Sequence, residues 1–419
     1  MMPNVASQAA SDSPRLVVLG CGFGGYSLLY NLRRDRWHAT LISPRNYFLF
    51  TPLLPSAVTG TVEFRSILEP ARRRLRGVRV VEGFAEAVDW GRRQVTCRGA
   101  VGGERFSVPY DILVIAVGAA IADYGIPGVA EHALKLASVE DARAVRRGIL
   151  EQFARAEIPG LSDEQIRQRL TFVVCGGGPT GVEAAAEISD LIHEELSESY
   201  PELAPYARVV LVEALGRLLT SFDEALADYT LKHFGRGGIE VRTSAKVQAV
   251  EKDRVLLQGG EILPCGMVLW AGGNAAVPFV QALGEPLSPR GRLVVDPYLR
   301  LQAHPEAFAL GDCAAVGEPP LPATAQVTQQ QGKYLARCLD RLRRGRSLEP
   351  FRFKASGMLA YIGGGEALAD LPRVKWSGRG AWLFWHSVYL TKLVSLANKA
   401  KVLFDWLKAR LFGRDLSRF

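Results

Sequence analysis

Cysteine pairs are missing from this chain. Its six cysteines (Cys21, Cys97, Cys175, Cys265, Cys313 and Cys338) are scattered over 419 residues, and none stands in a C-x-x-C pair. That spacing argues against a disulfide framework, a zinc site and a dithiol redox centre, and no metal is expected; a reducing compartment fits better. Long apolar runs are missing too. No stretch approaches 18 uncharged apolar residues, so no helix spanning a bilayer is expected. The N-terminal MMPNVASQAASDSP lacks both an apolar core and arginines, so it reads as a disordered tail over residues 1–14. Charged residues make up 22% and apolar residues 48%, ordinary values for a soluble globular protein, and the length suits two to three domains.

Glycine is plentiful, at 42 residues, and much of the information lies in where it falls. LVVLGCGFGG places Gly20, Gly22 and Gly25 in a G-x-G-x-x-G frame, with Gly24 inside it. TFVVCGGGPTG places Gly176, Gly178 and Gly181 in the same frame, 156 residues on. Each follows an apolar strand and opens a helix. In this frame the first glycine permits a tight turn, the second lets backbone approach a pyrophosphate, and the third lets helix and strand pack closely. One such loop is a weak signal, but two imply two dinucleotides on one chain. Passing electrons between them is the simplest reason to hold both.

The surrounding strands make the repeat one of whole domains. DILVIAVGA (111–119) and CGMVLWAGG (265–273) are matching apolar strands running into glycine, at Gly118 and Gly272. The fold class expected is α/β, with two Rossmann-like dinucleotide-binding domains and a C-terminal amphipathic segment. Residues 15–125 and 275–349 form the first domain, 126–274 the second, and 350–419 a C-terminal extension.

Individual residues sharpen the chemistry. Ser43 stands where the acidic residue ending the second strand is usual, and its hydroxyl can still bond a ribose. In the second unit Glu213 fills that place, which favours an unphosphorylated ribose and hence NADH over NADPH; Arg217 lies close by in sequence. Asp312, in ALGDCAA, falls at the carboxyl edge of a sheet, where it can hold ribityl or ribose hydroxyls, although a lone Asp after Gly is also a common turn residue. In PATAQVTQQQGKYLA (322–336), Gln326 and Gln330 share one helical face. Amide donors suit the carbonyls of a quinone; taken alone, the segment reads equally as a polar exposed face.

The net charge of +8 is unevenly placed. Residues 373–419 hold ten basic groups against two acidic ones, Asp405 and Asp415, and four of the seven tryptophans. Within 380–412, Val402, Leu403, Trp406, Leu407 and Leu411 fall on one predicted helical stripe flanked by Lys399, Lys401 and Lys408. That arrangement suits a helix lying in a membrane interface, or a cap or dimer contact.

Together these segments resemble the type II NADH dehydrogenases, the single-chain NADH:quinone oxidoreductases of respiratory membranes. The resemblance runs from residue 15 to the C-terminus. It is carried by SPRNYFLFTPLLPSAVTGTVE (43–63), VVCGGGPTGVEAAAEI (173–188), ATAQVTQQQGKYLA (323–336) and DWLKARLFGRDLSRF (405–419). It implies noncovalent FAD in the first domain, near Thr51, Pro52, Leu53, Gly118 and Asp312, and NADH in the second, at the loop that includes Pro179 and Thr180. The family's quinone motif A-Q-x-A-x-Q-x-G maps to Ala325, Gln326, Thr328, Gln330 and Gly332, with Thr328 in place of an alanine, a departure expected to alter the ring's fit. Glu183, in PTGVE, matches a carboxylate proposed for proton delivery or nicotinamide placement. Serine at position 43 is in keeping with the family's mitochondrial branch.

The activity implied is hydride transfer from NADH to flavin, then two electrons to a quinone that takes up two protons, without proton pumping. The resemblance also implies a homodimer with a membrane-anchoring tail and no nucleic-acid partner. The N-terminus suggests a bacterial protein on the cytoplasmic face of the inner membrane. Two rival readings are a sulfide:quinone oxidoreductase, which needs paired reactive cysteines near the flavin, and a non-catalytic redox-sensing flavoprotein with a basic tail.

Overall fold

The computed structural model describes residues 13–418, so the tail expected over 1–14 lies almost wholly outside the described residues. Five helices position the site: α1 Phe23–Asn31, α2 Pro179–Leu191, α3 Ala325–Leu342, α4 Arg379–Lys392 and α5 Leu396–Phe412. By contact the chain divides into two units. One comprises Met1–Leu49, Glu69–Ala120 and Asn274–Ala355; the other Phe50–Leu68, Ile121–Gly273 and Ser356–Phe419. The first unit is interrupted twice along the chain. Residues 50–68 and 356–419 group with the second unit, while 350–355 stay with the first.

The first unit is built on a seven-stranded sheet, in spatial order Ala307–Ala309, Ile112–Ile115, Arg15–Leu19, His38–Ser43, Arg79–Asp89, Gln94–Gly99 and Arg105–Pro109. The first five strands run parallel. The last two are antiparallel additions. Leu16, Val17, Val18 and Leu19 are all buried, as are Leu113, Val114 and Ile115. Both faces are therefore covered, which is why these strands read as unbroken apolar runs. The strand order reverses between Arg15–Leu19 and Ile112–Ile115, and such switch points are where ligands bind in open parallel sheets.

The second unit repeats the design with five parallel strands, Ala133–Lys135, Met267–Trp270, Thr171–Cys175, Arg208–Val212 and Ile239–Arg242. An antiparallel meander over 247–264 packs Val250, Val255 and Leu257 into a cluster with Val173 and Val210 of that sheet. α2 ends at Leu191, Ile192–Leu196 continues it as a π-turn, and Ser197–Ser199 adds a last helical turn. A three-stranded antiparallel sheet over 358–378 then leads into α4 and α5.

The C-terminal stripe needs correction. The inner line of α5 is Asn398, Val402 and Asp405, all buried. Asn398 donates to the Leu68 carbonyl at 2.8 Å, and Asp405 accepts the Glu63 N–H at 3.1 Å. Trp406 turns toward His386 of α4, with ring centroids 4.1 Å apart. The outward face is Leu403, Phe404, Leu407, Leu411 and Phe412, each more than half exposed. Val402 and Trp406 therefore leave the expected stripe and Phe404 joins it, because polar anchors on neighbouring segments fix the helix's rotation. Among the described residues no helix is long and apolar enough to cross a membrane.

Candidate functional site

The first loop follows strand Arg15–Leu19. Gly20 has φ of +102°, a conformation that side chains rarely adopt, and a Cβ there would overlap the Ala116 carbonyl. A Cβ on Gly25 would overlap the Gly20 carbonyl oxygen, so the loop closes tightly onto its own helix. Gly22 is different: a Cβ there meets nothing within 4 Å. Gly22 is the N-cap of α1 and offers no side-chain cap, leaving the first-turn N–H groups for an anion. That open side is the cradle a pyrophosphate needs. Gly118 also faces open space, whereas Gly24 packs against Leu310. Ser43 is buried, and its hydroxyl accepts the Arg45 N–H at 3.3 Å.

Asp312 lies in the turn that follows strand Ala307–Ala309. Burial raises its carboxyl's pKa; nearby Arg292 and the Thr328 hydroxyl oppose that rise. Asn274 donates to the carboxyl at 3.4 Å. The preceding Gly311 N–H is held by the Gln331 amide oxygen at 2.8 Å.

α3 begins with Thr324 as N-cap, its hydroxyl accepting the Val327 N–H at 3.3 Å. Ala325 and Gln326 are half-buried in the first turn. The Gln330 amide donates to the Lys354 carbonyl at 2.8 Å and accepts the Lys354 N–H at 3.0 Å, so it is tied to a neighbouring strap of backbone. Thr328, expected to shape a quinone pocket, is turned inward: its methyl lies against Gly24 and Gly311 and its hydroxyl against Asp312. In the second unit, Thr51 is exposed at the start of a short turn, while Leu53 is fully buried.

The second loop reproduces the first. Gly176 has φ of +117°, and a Cβ on it would lie 2.5 Å from the Ala271 carbonyl oxygen. A Cβ on Gly181 would overlap the Gly176 carbonyl, and Gly178 again meets nothing. Pro179 occupies the first turn of α2, where its missing N–H costs nothing, and Thr180 is exposed beside it. Glu213 accepts the Gly177 N–H at 2.5 Å and the Leu215 N–H at 2.7 Å. It is therefore no loose strand end but a fixed negative charge under the loop. Arg217 points instead to the Thr220 carbonyl at 3.3 Å. Gly272 lies tight against the Trp270 indole, whose N–H donates to Ala122 at 2.7 Å.

α2 also carries a line of buried acids. Glu183, Glu187 and Asp190 fall at i, i+4 and i+7, on one face. Glu183 accepts the Tyr361 N–H at 3.1 Å. Glu187 accepts the Thr59 and Thr61 hydroxyls at 2.7 and 3.0 Å. Asp190 accepts the Tyr361 hydroxyl at 2.5 Å and the Gly364 N–H at 3.0 Å. Burial pushes Glu183 up to about 8, against the pull of the Tyr361 amide and with the help of Glu187. Burial likewise carries Asp190 to about 6. At neutral pH Glu183 therefore holds its proton, one turn inside the helix that opens at the second loop. Sequence reasoning found Glu183 but missed Glu187, Asp190 and Tyr361. The signal was present as acids at helical spacing in an otherwise small and apolar helix.

Comparison with known proteins defines the class first. Residues 14–332 match the pyridine nucleotide-disulphide oxidoreductase family, and residues 356–415 match the NDH2 C-terminal domain. The chain is 38% identical to a probable NADH dehydrogenase of Dictyostelium discoideum, over 97% of this chain and 92% of the relative. It is 36% identical to the mitochondrial internal alternative NAD(P)H-ubiquinone oxidoreductase A1 of Solanum tuberosum, over 98% and 89%. The structure of NDH2 from Plasmodium falciparum in complex with NADH superposes with a TM-score of 0.93 at 25% identity, covering 97% of this chain and all of that one. The chain belongs to the type II NADH dehydrogenase family.

Proposed function

We infer that this chain oxidises NADH and reduces a membrane quinone through noncovalently bound FAD, without proton pumping. The observation that carries the reading is the pair of loops of one geometry, each with an open cradle at a helix N-terminus, in a chain of this family. Balanced, the reaction is NADH, one proton and quinone giving NAD+ and quinol, so one proton per turnover comes from the medium. Bound FAD supplies the two-electron relay between the nicotinamide and the quinone.

The residues divide the remaining work. Gly20, Gly22 and Gly25 shape the flavin pyrophosphate cradle, and Asp312 accepts hydroxyls of the flavin's sugar chain. Gly176, Gly178 and Gly181 shape the NADH cradle. Glu213 holds the unphosphorylated ribose and repels a 2′-phosphate. Glu183 holds a proton at its carboxyl and orients the nicotinamide end. Gln326 offers an amide donor toward a quinone carbonyl, while Gln330, expected to do the same, is held at both ends of its amide by Lys354 and braces the strap beside the site. The outward face of α5, with Lys401 and Lys408 beside it, rests on the membrane surface, and the chain works as a homodimer. The cytoplasmic face of a bacterial inner membrane is the location proposed.

All six cysteines are buried and unpaired, and Cys21 and Cys175 sit at the two phosphate loops, which disfavours the sulfide:quinone reading. The test is anaerobic stopped-flow absorbance in the flavin band, with NADH added first and a short-chain quinone second. Bleaching by NADH followed by recovery with quinone is expected. Bleaching without recovery would refute quinone reduction.

A further inference from the structure

The quinone-motif helix α3 has an inner face that the reading above leaves unused. Thr328 is buried there, one turn before Gly332. At Gly332 the helix touches α1: a Cβ would come within 2.7 Å of the Gly24 carbonyl oxygen and 2.8 Å of Ser27. One turn earlier, the Thr328 methyl lies 3.2 Å from where a Gly24 Cβ would be and 2.9 Å from where a Gly311 Cβ would be. The hydroxyl on the same side chain bonds the Asp312 carboxyl. Between these points, Gln331 pins the Gly311 N–H, the residue before Asp312. α3 thus grips both the helix of the phosphate loop and the turn that bears the carboxylate.

We propose that Thr328 is a positioning residue for the flavin, its hydroxyl holding the Asp312 carboxylate in the orientation that accepts the cofactor's hydroxyls. This rests on the reading of Asp312 as a flavin ligand. A buried carboxyl accepts hydroxyls most strongly while it is charged and fixed in direction. Around Asp312, Arg292 supplies charge at a distance and Asn274 a long bond, while Cys313 beside it is a buried thiol. Thr328 adds the hydroxyl donor that an alanine at this motif position cannot give. The same side chain fills the space between Gly24 and Gly311, so donor and wedge are separable by substitution.

T328V keeps the shape and removes the hydroxyl; T328S keeps the hydroxyl and removes the methyl. Both are compared, with D312N, as full-length FAD-loaded enzyme, reading FAD release on dilution by the recovery of free-flavin fluorescence. T328V is expected to release FAD roughly tenfold faster, the loss typical of a bond to a charged group, with T328S within about twofold of the parent. D312N is expected to release at least as fast as T328V. If T328V purifies without flavin, the same ratio is read from FAD affinity on reconstitution. Release from T328V at the parent rate while D312N is fast overturns the role of Thr328 alone. T328S as impaired as T328V assigns the effect to packing and also overturns it. D312N unchanged overturns the reading of Asp312 itself.

Discussion

Glu183→Gln separates a buried neutral carboxyl from a buried charge. The ordinary value of this carboxyl is 4.5, and burial lifts it to about 8 in the folded chain. The native state therefore binds the proton more tightly than the unfolded chain. This contribution to stability is fully present below 4.5, declines as pH rises, and is gone once pH has passed through about 8. A gap of about 3.5 pH units corresponds to at most ~5 kcal/mol, since local relaxation on ionisation trims it. Glutamine has the same shape, still accepts the Tyr361 N–H, and cannot ionise. The variant should match the parent near pH 4 and gain on it as pH rises, by about 2 kcal/mol at pH 6 and by at most ~5 kcal/mol at pH 9. At roughly 2 °C per kcal/mol, the Tm gap would open toward ~10 °C. Asp190 titrates in both proteins and cancels in the difference. The assay is thermal melting by circular dichroism from pH 4 to 9. Parallel curves for parent and variant would refute the buried-proton reading. Stopped flow then separates the two roles. Bleaching by NADH unchanged with recovery by quinone slowed, on the order of a hundredfold for a lost proton donor, points to proton delivery. Slowed bleaching points to nicotinamide placement.

The glycine loops should fail independently. Gly25→Ala drives a methyl into the Gly20 carbonyl, so the protein should purify without flavin or not at all; Gly181→Ala should retain flavin absorbance yet lose bleaching by NADH. A G25A protein with full flavin content would overturn the geometry of the first cradle. Leu403→Glu with Leu407→Glu places charges on the outward face of α5 and should abolish sedimentation with anionic vesicles while leaving flavin content intact. The parent should stay bound in high salt, because an apolar face is not screened; complete release by salt alone would make the contact purely electrostatic. Asp405→Ala removes the acceptor of the Glu63 N–H and should lower stability by about 1–3 kcal/mol, seen as faster amide exchange at Glu63 and along α5. Unchanged exchange at both would show the anchor to be idle.

The two sheets were legible because their strands are buried on both faces and their loops demand glycine at fixed positions. Loop chemistry is local, so Gly20 and Gly176 declared themselves without any partner being known. The inner and outer faces of α3 and α5 were not legible in that way. Val402 and Leu403 are both apolar, and nothing in their own sequence says which faces in. Asp405 and Asn398 decide it, by bonding backbone at Glu63 and Leu68, more than 300 residues away. Gln330 likewise looked free until Lys354 was seen to occupy its amide, and Gln331 and Thr328 were hidden because their partners lie in a turn before the helix begins.

The same kind of long-range bond explains why the C-terminal extension groups with the second unit. α2 can bury three acidic side chains only if donors reach them, since an unpaired buried acid is costly. Its own sheet does not provide those donors. They come from Thr59 and Thr61 on one side and from Tyr361 and Gly364 on the other. Tyr361 serves two of the acids at once, its N–H on Glu183 and its hydroxyl on Asp190. Glu366 and Asp370 of the next strand then accept the Tyr229 hydroxyl and the Asp223 N–H. The residues that satisfy α2 are thus the very segments that an argument from chain order assigned elsewhere: 50–68 to the first domain and 350–419 to a domain of its own. A helix that holds acids in its buried face needs foreign donors, and that need draws 50–68 and 356–419 into the second unit.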